Sequence, residues 1–334
     1  MLATLQSIGK NLAVADRLTE REAGALAAAV ARRTPLRADR EAVRLSHEAP
    51  IAGLTVDDYA GWLLLTDYRG LGAPLLRDVA ERALAALEGE GLAAWGAVAK
   101  VRPDNLSHRG GRVADPIRLA GDAPPETWTV EERGARFAVR FRDAGFATGL
   151  FLDMAEGRRA VRALAGLAGG GGAVLNLFSY TGPFSIAAAL GGAAEVIEVD
   201  ASRKWLAWSR ENQRLNGLPD GLVRQRCDDA VKHLARQGEE RFDLVVCDPP
   251  SYANPKRGKR FTIDAGYREM ARHLTRVLRP GGYVLACCNH ARTPRGRFRQ
   301  WVEPRLRFER WIEPPPDFDD ADYLKVALFR RPPT

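Results

Sequence analysis

The sequence predicts an α/β protein whose larger part is a Rossmann-like, doubly wound sheet that is mostly parallel, with an antiparallel last strand. From residue 158 onward, short apolar runs alternate with segments whose apolar positions repeat every three to four residues. This alternation is typical of a parallel sheet covered by helices on both faces. Before residue 126, strand-like runs around one strong helical pattern indicate a smaller N-terminal α+β domain.

The predicted domain organisation has four regions. Residues 1–40 are rich in alanine and are predicted as a helical N-terminal extension. Residues 41–126 are predicted as the small α+β domain. Residues 127–157 are predicted as a β-hairpin and linker, and residues 158–334 as the larger domain.

Local patterns place the elements within these regions. In the small domain the predicted order is strand, strand, helix, strand and Gly/Pro-rich loop, over 51–56, 61–66, 75–87, 95–101 and 104–126. The turn between the first two strands is assigned to Asp57-Asp58-Tyr59, and the hairpin tip to Gly134 and Ala135. Strands of the larger domain are predicted at 173–178, 195–199, 222–226, 242–247 and 282–288. Helices are predicted at 158–167, 183–191, 202–216, 229–236 and 265–278.

Composition narrows the classes of partner and compartment. A formal net charge of +8 and an isoelectric point near 9.6 favour a polyanionic partner such as nucleic acid. The four cysteines have no zinc-type, redox-type or disulfide-framework spacing, so we expect no metal and a reducing cytoplasm. We expect no signal peptide. The uncharged stretch from Ala163 to Ala194 is broken by glycines and polar residues and is not expected to span a membrane.

The first strand and helix of the larger domain predict a cofactor site. The run N-L-F-S-Y-T-G at 176–182 joins a buried strand to a helix that begins at Pro183, and such sheets bind ligands at the carboxyl ends of their strands. A dinucleotide would need G-x-G-x-x-G, but this turn contains Gly182 alone, which argues against a dehydrogenase. A ligand without phosphates fits better, with its own carboxylate at the helix N-terminus.

Acidic residues follow the next two strands. Asp200 ends the second strand, where a carboxylate can accept hydrogen bonds from both ribose hydroxyls of a nucleoside. Asp228 and Asp229 end the third strand, where an acid can accept from an adenine amino group, although Asp229 is equally well explained as a helix N-cap. Because these features fall in register at successive strands of one sheet, they predict an adenosyl-binding site.

Three further motifs carry a resemblance to a known family. With T-G-L-F-L-D at 148–153, V-D-A-S-R-K-W-L-A-W-S-R-E-N-Q-R-L-N-G-L at 199–218 and C-D-P-P-S-Y at 247–252, the chain resembles class I S-adenosylmethionine-dependent methyltransferases of large-subunit ribosomal RNA. It is most similar to the guanine-N7 domain of the bifunctional bacterial 23S rRNA enzymes, and next to the 23S rRNA cytosine-C5 methyltransferases. The resemblance starts at about Glu41.

The resemblance implies S-adenosylmethionine as cofactor and structured RNA, 23S rRNA, as partner. It also implies an RNA-binding role for the small domain, since the added RNA-binding domains of these relatives have no counterpart in the first forty residues. The cofactor contacts that it implies are Arg158, Phe178, Ser179, Tyr180, Thr181, Gly182, Asp200, Ser202, Asp229 and Asp248.

Residues 248–252 are the predicted methyl-transfer site. Asp248 ends the fourth strand beside the sulfonium, and Pro249 and Pro250 form a stiff turn whose carbonyl groups stay free to accept from a base. Tyr252 is expected to stack on a flipped base. A basic cluster that would hold RNA phosphates follows, at Lys256, Arg257, Lys259 and Arg260.

The target atom stays open between two chemistries. Methylation of cytosine C5 needs a thiolate that first adds to C6, and Cys287 or Cys288 could supply it. Guanine N7 has an exposed lone pair and needs neither a base nor a covalent step. Asn289 matches the guanine-N7 relatives at this position, so guanine N7 is favoured, with Asp248 and Asn289 orienting the purine.

Two further alternatives stay open. Residues 292–310 contain seven arginines, interleaved with aromatic residues as far as Trp311. This pattern suits either RNA binding or a helix that packs on the sheet. A catalytically silent RNA-binding or assembly factor with the same fold is also compatible with the sequence.

Overall fold

The computed structural model describes residues 16–102, 115–142, 147–167, 171–250, 252–253, 261–303, 305–318 and 321–333. The chain divides into two compact units. The first comprises Met1–Glu126 with Phe141–Phe146, and the second comprises Thr127–Arg140 with Ala147–Thr334. Among the described residues, no helix combines the length and the apolar character that a membrane crossing requires.

The first unit is a sheet covered by two helices. Its elements are α1 (Glu20–Arg33), β1 (Ala42–His47), β2 (Leu54–Tyr59), β3 (Trp62–Asp67), α2 (Ala73–Gly89), β4 (Gly96–Val101) and β5 (Ile117–Gly121). The strands lie in chain order, and only the β3–β4 pair is parallel because α2 connects these two strands. Leu26 and Val30 of α1 and Val79 of α2 are buried in one core with Leu45 and Leu65 of the sheet.

The predicted turn at Asp57-Asp58-Tyr59 is wrong, because these residues complete β2. The turn lies at Ala60 and Gly61, whose φ angles are +59° and +93°. Arg44 Nε donates to Asp57 Oδ1 at 2.7 Å, Gly61 N donates to Asp58 Oδ1 at 2.7 Å, and Arg37 forms an ion pair with Asp58. Arg37 and Arg44, which are remote in sequence, therefore help to keep these two aspartates in the strand despite the turn preference of aspartate.

Three predicted boundaries differ from the structure. Residues 117–121 of the predicted loop form β5, which pairs with β4, while residues 103–114 lie outside the described part. Helix α1 of the predicted extension shares the core of the first unit. The hairpin of β6 (Trp128–Glu132) and β7 (Ala135–Val139) turns at Arg133 and Gly134 and belongs to the second unit.

The second unit contains the predicted sheet. Its further strands are β8 (Ala173–Leu177), β9 (Glu195–Asp200), β10 (Val223–Cys227), β11 (Phe242–Cys247), β12 (Tyr252–Ala253), β13 (Phe261–Thr262), β14 (Leu278–Asn289), β15 (Arg307–Ile312) and β16 (Leu324–Arg330). In the described part of the chain, the sheet has the strand order β10-β9-β8-β11-β14-β16-β15. The first five strands are parallel, and β16 is antiparallel to both β14 and β15. The predicted fold class is confirmed, including its antiparallel last strand.

Helices cover this sheet on both faces. They are α3 (Ala155–Leu167), α4 (Pro183–Leu190), α5 (Arg203–Leu215), α6 (Ala230–Arg236), α7 (Ile263–Val277) and α8 (Arg295–Val302). Alternate residues of each strand enter opposite cores: Val245 packs with α7 and α8, whereas Val246 packs with α3 and α4. Helix α3 begins at Ala155, three residues before the predicted start.

The aromatic residues after residue 292 belong mainly to this architecture. Phe298 and Trp301 of α8 are buried in the core beneath α7, with ring centroids 5.0 Å and 6.3 Å from that of Tyr267. Phe308 and Trp311 of β15 pack partly against the same core. The interpretation of this tract as a helix packed on the sheet is therefore confirmed for Phe298 and Trp301.

Candidate active site

The turn between β8 and α4 has an uncommon backbone conformation. Phe178, Tyr180 and Gly182 have φ angles of +59°, +51° and +79°, and this left-handed region costs a non-glycine residue about 1 kcal/mol or more. Ser179 N donates to Val199 O at 3.0 Å, and Gly182 N donates to Ser179 O at 2.8 Å. Such strain persists where surrounding contacts determine the conformation, and it is concentrated at ligand sites.

Gly182 is required for two reasons. Its φ lies in the left-handed region, and a Cβ at this position would overlap Ser209 Oγ and come within 2.9 Å of Glu198 Oε2. Glu198 is itself buried, and Ser209 Oγ and Gln225 Nε2 donate to its Oε1 at 2.7 Å and 2.8 Å. Burial raises the pKa of Glu198. This buried acid network lies directly beneath the turn and sets its position.

Asp200 supports the same turn from the end of β9. Tyr180 N donates to its Oδ2 at 2.9 Å, and Ser202 N donates to its Oδ1 at 2.8 Å. Burial raises the pKa of Asp200, while these two backbone donors act in the opposite direction. Ser202 is the N-cap of α5, where its Oγ accepts from Trp205 N. Each oxygen of Asp200 keeps a lone pair that a ribose hydroxyl could use.

Residues 180 and 181 attach the turn to Gly149 of the T-G-L-F-L-D segment. Thr181 Oγ1 donates to Gly149 O at 2.5 Å, and Gly149 N donates to Tyr180 Oη at 3.1 Å. The Tyr180 ring lies between those of Phe151 and Trp205, at centroid distances of 5.2 Å and 4.8 Å. Thr181 is fully buried, so its side chain holds the turn in place.

The acids after β10 have local partners. Asp229 is the N-cap of α6, with Lys232 N donating to its Oδ1 at 2.9 Å. Asp228 Oδ2 forms an ion pair with Arg236 and lies 3.3 Å from His233 Nδ1. The N-cap explanation of Asp229 is therefore correct. The cofactor contacts of both acids stay predictions.

The register of the sheet brings the predicted residues together. Leu177 pairs with Val199 on one side and with Cys247 on the other. Phe178, Asp200 and Asp248 therefore follow in one row across three parallel strands, with neighbouring strands about 4.8 Å apart. Asp228 follows in the next strand, because Cys227 pairs with Asp200. The strand-end residues line one edge of the sheet, as the sequence predicts.

Asp248 has the most perturbed carboxylate of this edge. Burial, and secondarily the charge of Asp153, raise its pKa to about 7. Asp153 lies in the turn before α3, and Tyr323 Oη donates to its Oδ2 at 3.0 Å. Pro249 is buried and Pro250 is exposed. A carboxyl group with a pKa near neutrality beside a second acid is characteristic of catalytic sites.

Tyr267 joins the two strands at this point. Its hydroxyl lies 2.8 Å from Cys247 O and 2.6 Å from Cys287 O, and the side chain is fully buried in α7. One hydroxyl proton is shared between two carbonyl groups at the ends of β11 and β14. Tyr267 therefore fixes the separation of these strands one residue before Asp248 and two residues before Asn289.

The two cysteines of β14 are buried on opposite faces of the sheet. Cys287 packs in the core with α3 and α4, whereas Cys288 packs in the core with α7 and α8. Both are fully buried, and burial raises the pKa of the Cys288 thiol to about 11. Asn289, the next residue, is exposed at the end of the strand.

Arg158 has structural partners. Its Nε and Nη2 donate to Glu132 Oε1 and Oε2, each at 2.7 Å, and Nη1 donates to Phe151 O at 2.8 Å. The side chain is buried. These contacts attach α3 to the β6–β7 hairpin and differ from the cofactor contact that the resemblance implies.

Part of the predicted site lies outside the described residues. This holds for the basic cluster of Lys256, Arg257, Lys259 and Arg260. For Tyr252 the structure describes only the backbone, which pairs with Thr262. Their roles stay predictions.

The residues of the edge fit an adenosyl cofactor that carries an amino acid. Ser179 Oγ is buried without a hydrogen-bond partner among the described residues, and it lies in the turn that precedes α4. The adjacent strands end in carboxylates that could accept hydrogen bonds from the ribose hydroxyls and the adenine amino group and attract the sulfonium. Among the described residues, no group of three or more His, Cys, Asp or Glu side chains is arranged to hold a metal ion.

Comparisons with known proteins agree with this geometry. A profile of the S-adenosylmethionine-dependent methyltransferase family matches residues 47–330. The chain belongs to this family. S-adenosylmethionine is therefore the cofactor of this methyltransferase, and a solved structure of SMU.776, a putative methyltransferase complexed with SAH, shares its fold. That structure has a TM-score of 0.75 at 24% identity and covers 95% of this chain and 84% of its own.

Two curated relatives of the methyltransferase have names that refer to ribosomal RNA. Ribosomal RNA large subunit methyltransferase I of Aeromonas salmonicida is 34% identical over 238 residues, which are 70% of this chain and 57% of the relative. Ribosomal RNA large subunit methyltransferase K/L of Chromohalobacter salexigens is 34% identical over 248 residues, which are 73% of this chain and 32% of the relative. The chain thus matches about half of the first protein and a third of the second.

Four residues at the candidate site of the methyltransferase are absent from the sequence prediction. Asp153 is the last residue of the T-G-L-F-L-D motif, and a carboxylate at the end of this motif indicates a candidate site residue. Glu198 is an acid inside an otherwise apolar strand, which is a recognisable anomaly. Tyr267 and Tyr323 have no distinctive local pattern, and only the tertiary structure reveals their roles.

Proposed function

We propose that this methyltransferase transfers a methyl group to guanine N7 of 23S rRNA in the cytoplasm. The names of its curated relatives and its net charge of +8 support an RNA substrate. S-adenosylmethionine supplies an electrophilic methyl group on a sulfonium. The residues of the protein position the target base in line with this methyl group and provide the charges around the reacting atoms.

We favour guanine N7 over cytosine C5 as the target atom because of the surroundings of Asp248, Asn289 and Cys288. Guanine N7 attacks with its own lone pair, so the protein must hold the purine in line and need not remove a proton. Asp248 follows β11, and the exposed Asn289 is the last residue of the neighbouring strand β14. They offer an acceptor and an amide for the purine edge. By contrast, burial raises the pKa of the Cys288 thiol to about 11, although Lys325 and hydrogen bonds from His290 and Thr293 act in the opposite direction. Burial therefore disfavours the thiolate that cytosine C5 requires.

The remaining roles in the proposal follow from the predicted site. The β8–α4 turn and Asp200 hold the adenosyl group, Tyr252 stacks on the target base, and the cluster of Lys256, Arg257, Lys259 and Arg260 binds phosphates. Residues 41–126 contribute to the selection of the RNA.

Transfer of labelled methyl from S-adenosylmethionine to deproteinised 23S rRNA, followed by nucleoside mass spectrometry, tests the proposal. We expect labelled 7-methylguanosine with the wild-type protein and none above background with Asp248→Ala. Labelled 5-methylcytidine that disappears in Cys288→Ala would replace guanine N7 with the cysteine-dependent reaction. Cofactor binding by calorimetry without transfer to any RNA would favour the silent RNA-binding or assembly factor.

A further inference from the structure

Three polar side chains form a row inside the sheet of the second unit, beneath the β8–α4 turn. The strand register pairs Glu198 of β9 with Asn176 of β8 on one side and with Gln225 of β10 on the other. Residues paired in this way lie about 4.8 Å apart and project from the same face of the sheet. Asn176 and Glu198 are buried, although both strands are otherwise largely aliphatic. We call these three residues the buried polar row.

The two oxygens of Glu198 have different surroundings. Ser209 Oγ and Gln225 Nε2 donate to Oε1 at 2.7 Å and 2.8 Å, and Gln213 Nε2 donates to the same oxygen at 3.2 Å. Oε2 lies toward the cofactor turn, where a Cβ on Gly182 would come within 2.9 Å of it. One oxygen thus connects the strand to α5 and β10, and the other lies against the turn.

Two acceptors of the buried polar row have no partner. Glu198 Oε2 and Asn176 Oδ1 are buried, and neither has a hydrogen-bond partner among the described residues. The other end of the Asn176 amide is occupied, because its Nδ2 donates to Ser185 Oγ at 2.9 Å. Two acceptors cannot bond to each other, but a protonated carboxyl group donates one hydrogen bond. A proton on Glu198 Oε2 would therefore supply the donor that the row lacks.

The charges around Glu198 favour this proton. Burial raises its pKa, and the charge of Asp200 acts in the same direction, whereas hydrogen bonds from serine and glutamine side chains act in the opposite direction. Among the described residues, no cation lies within ion-pair distance of Glu198. Arg210 reaches the network only through Gln225, whose Oε1 accepts from its Nη2 at 2.7 Å. The side chains that surround Glu198 from α4, α5, β8 and β10 are uncharged; they are Ser185, Ser209, Gln213, Asn176 and Gln225.

We propose that Glu198 is a positioning residue for S-adenosylmethionine and that it acts as the neutral acid. In this form Oε1 accepts from α5 and β10, while the Oε2 hydroxyl donates to Asn176 Oδ1 and completes the hydrogen bonds of the row. The completed row holds Gly182 and the start of α5, which follows Asp200, in the positions that the predicted cofactor contacts require. This inference concerns the cofactor and is independent of the RNA substrate and of the target atom.

Glu198→Gln and Glu198→Ala test the proposal through the Kd for S-adenosylmethionine, measured by calorimetry on the full chain. Glutamine reproduces the neutral acid, with one acceptor and one donor group, so we expect a Kd within about twofold of wild type. Alanine removes both groups, and we expect the Kd to rise about tenfold or more. Glu195→Gln is the matched control. Glu195 lies at the opposite end of β9, where it pairs with Arg224 at 3.0 Å, and its variant should keep the wild-type Kd.

Two further measurements distinguish a neutral Glu198 from an ionised one. The ratio of the Kd of Glu198→Gln to that of wild type should stay constant between about pH 6 and 8, because Asp200 and Asp248 titrate in both proteins and cancel. The infrared difference spectrum of wild type minus Glu198→Gln should contain the C=O band of a protonated carboxyl group. A purely structural role would affect neither measurement.

Each outcome supports or overturns the proposal. If Glu198→Ala lowers thermal stability but keeps the wild-type Kd, Glu198 does not position the cofactor. If Glu198→Gln binds as weakly as Glu198→Ala, or if the difference spectrum contains carboxylate bands, Glu198 acts as an ion and the neutral form is wrong. Should Glu198→Ala fail to fold, Ser209→Ala removes a single donor to Oε1 and should raise the Kd about threefold. An unchanged Kd in Ser209→Ala would then contradict the positioning role. Failure of methyl transfer to 23S rRNA would leave all of these results valid.

Discussion

Asp200 and Asp248 lie in the same row of one sheet, and burial raises the pKa of both, but their polar neighbours differ. Backbone N–H groups of Tyr180 and Ser202 donate to both oxygens of Asp200. Asp248 instead faces a second acid, Asp153, and its pKa is about 7. Backbone donors stabilise a carboxylate that must hold its position, whereas burial beside another acid leaves a carboxyl group that changes its proton occupancy near neutral pH. We therefore expect one half of the rim to bind the cofactor and the other half to take part in methyl transfer.

The largest effect is expected from Asp248→Asn, which keeps the shape and removes the charge. We expect kcat/KM for methyl transfer to fall about 100-fold or more, because a preorganised charge at the reacting centre is lost. Asp200→Asn should instead act mainly on the Kd for S-adenosylmethionine.

The stability of Asp248→Asn provides the control. A raised pKa stabilises the fold below about pH 4, and this contribution is lost as the pH rises through about 7. The variant should therefore be at least as stable as wild type at pH 8, as measured by thermal unfolding. Lower stability at pH 8 would mean that the loss of activity reflects unfolding.

Gly182→Ala tests the binding half of the rim. The Cβ adds left-handed strain and overlaps Ser209 Oγ, so we expect the Kd for S-adenosylmethionine to rise about tenfold or more. Gly192→Ala is the matched control, since its φ is +93° with open space around the Cβ position. It should lose about 1 kcal/mol of stability by strain alone and keep its cofactor affinity. Equal effects at both positions would show that backbone strain alone explains the result.

The pH profile sharpens the contrast between the two acids. We expect kcat/KM for S-adenosylmethionine to rise through about pH 7, because the ionised form of Asp248 attracts the sulfonium and this parameter reports groups of the free enzyme. Asp153→Asn removes the neighbouring charge and should move the midpoint to lower pH. Asp243→Asn, at the opposite end of β11 and paired with Arg279, should leave it unchanged. If the midpoint does not shift in Asp153→Asn, the charge of Asp153 does not influence the titration of Asp248.

Tyr267→Phe tests how the strands beneath Asp248 are held. Two buried carbonyl groups lose their shared donor, so we expect a loss of about 1–2 kcal/mol in the free energy of unfolding and a several-fold lower kcat. Tyr283→Phe, at a half-buried tyrosine of β14, should change the free energy of unfolding by less than about 0.5 kcal/mol. The free energy of unfolding of both variants is measured by denaturant unfolding. Equal losses in the two variants would contradict a bridging role for Tyr267.

The smallest effect is expected from Cys288→Ala. Because its thiol is buried and protonated, methyl transfer should stay within about twofold of wild type. Cys287→Ala, buried on the other face of the sheet, is the control for repacking. Loss of transfer in Cys288→Ala alone would restore the cysteine-dependent reaction.

Hydrophobic periodicity and strand-end motifs are local patterns, so they were sufficient to predict the α/β class, the strands that lead to Phe178, Asp200 and Asp248, and the family. The folded structure was needed to show that Asp57 and Asp58 lie in a strand, that Arg158 pairs with Glu132, and that Asp153 lies near Asp248. Each depends on a partner from a distant part of the chain, whose charge and burial no local pattern contains. The spacing of Phe298 and Trp301 among arginines suited either RNA binding or core packing. Their burial against Tyr267, which is distant in the sequence, shows that they pack in the core.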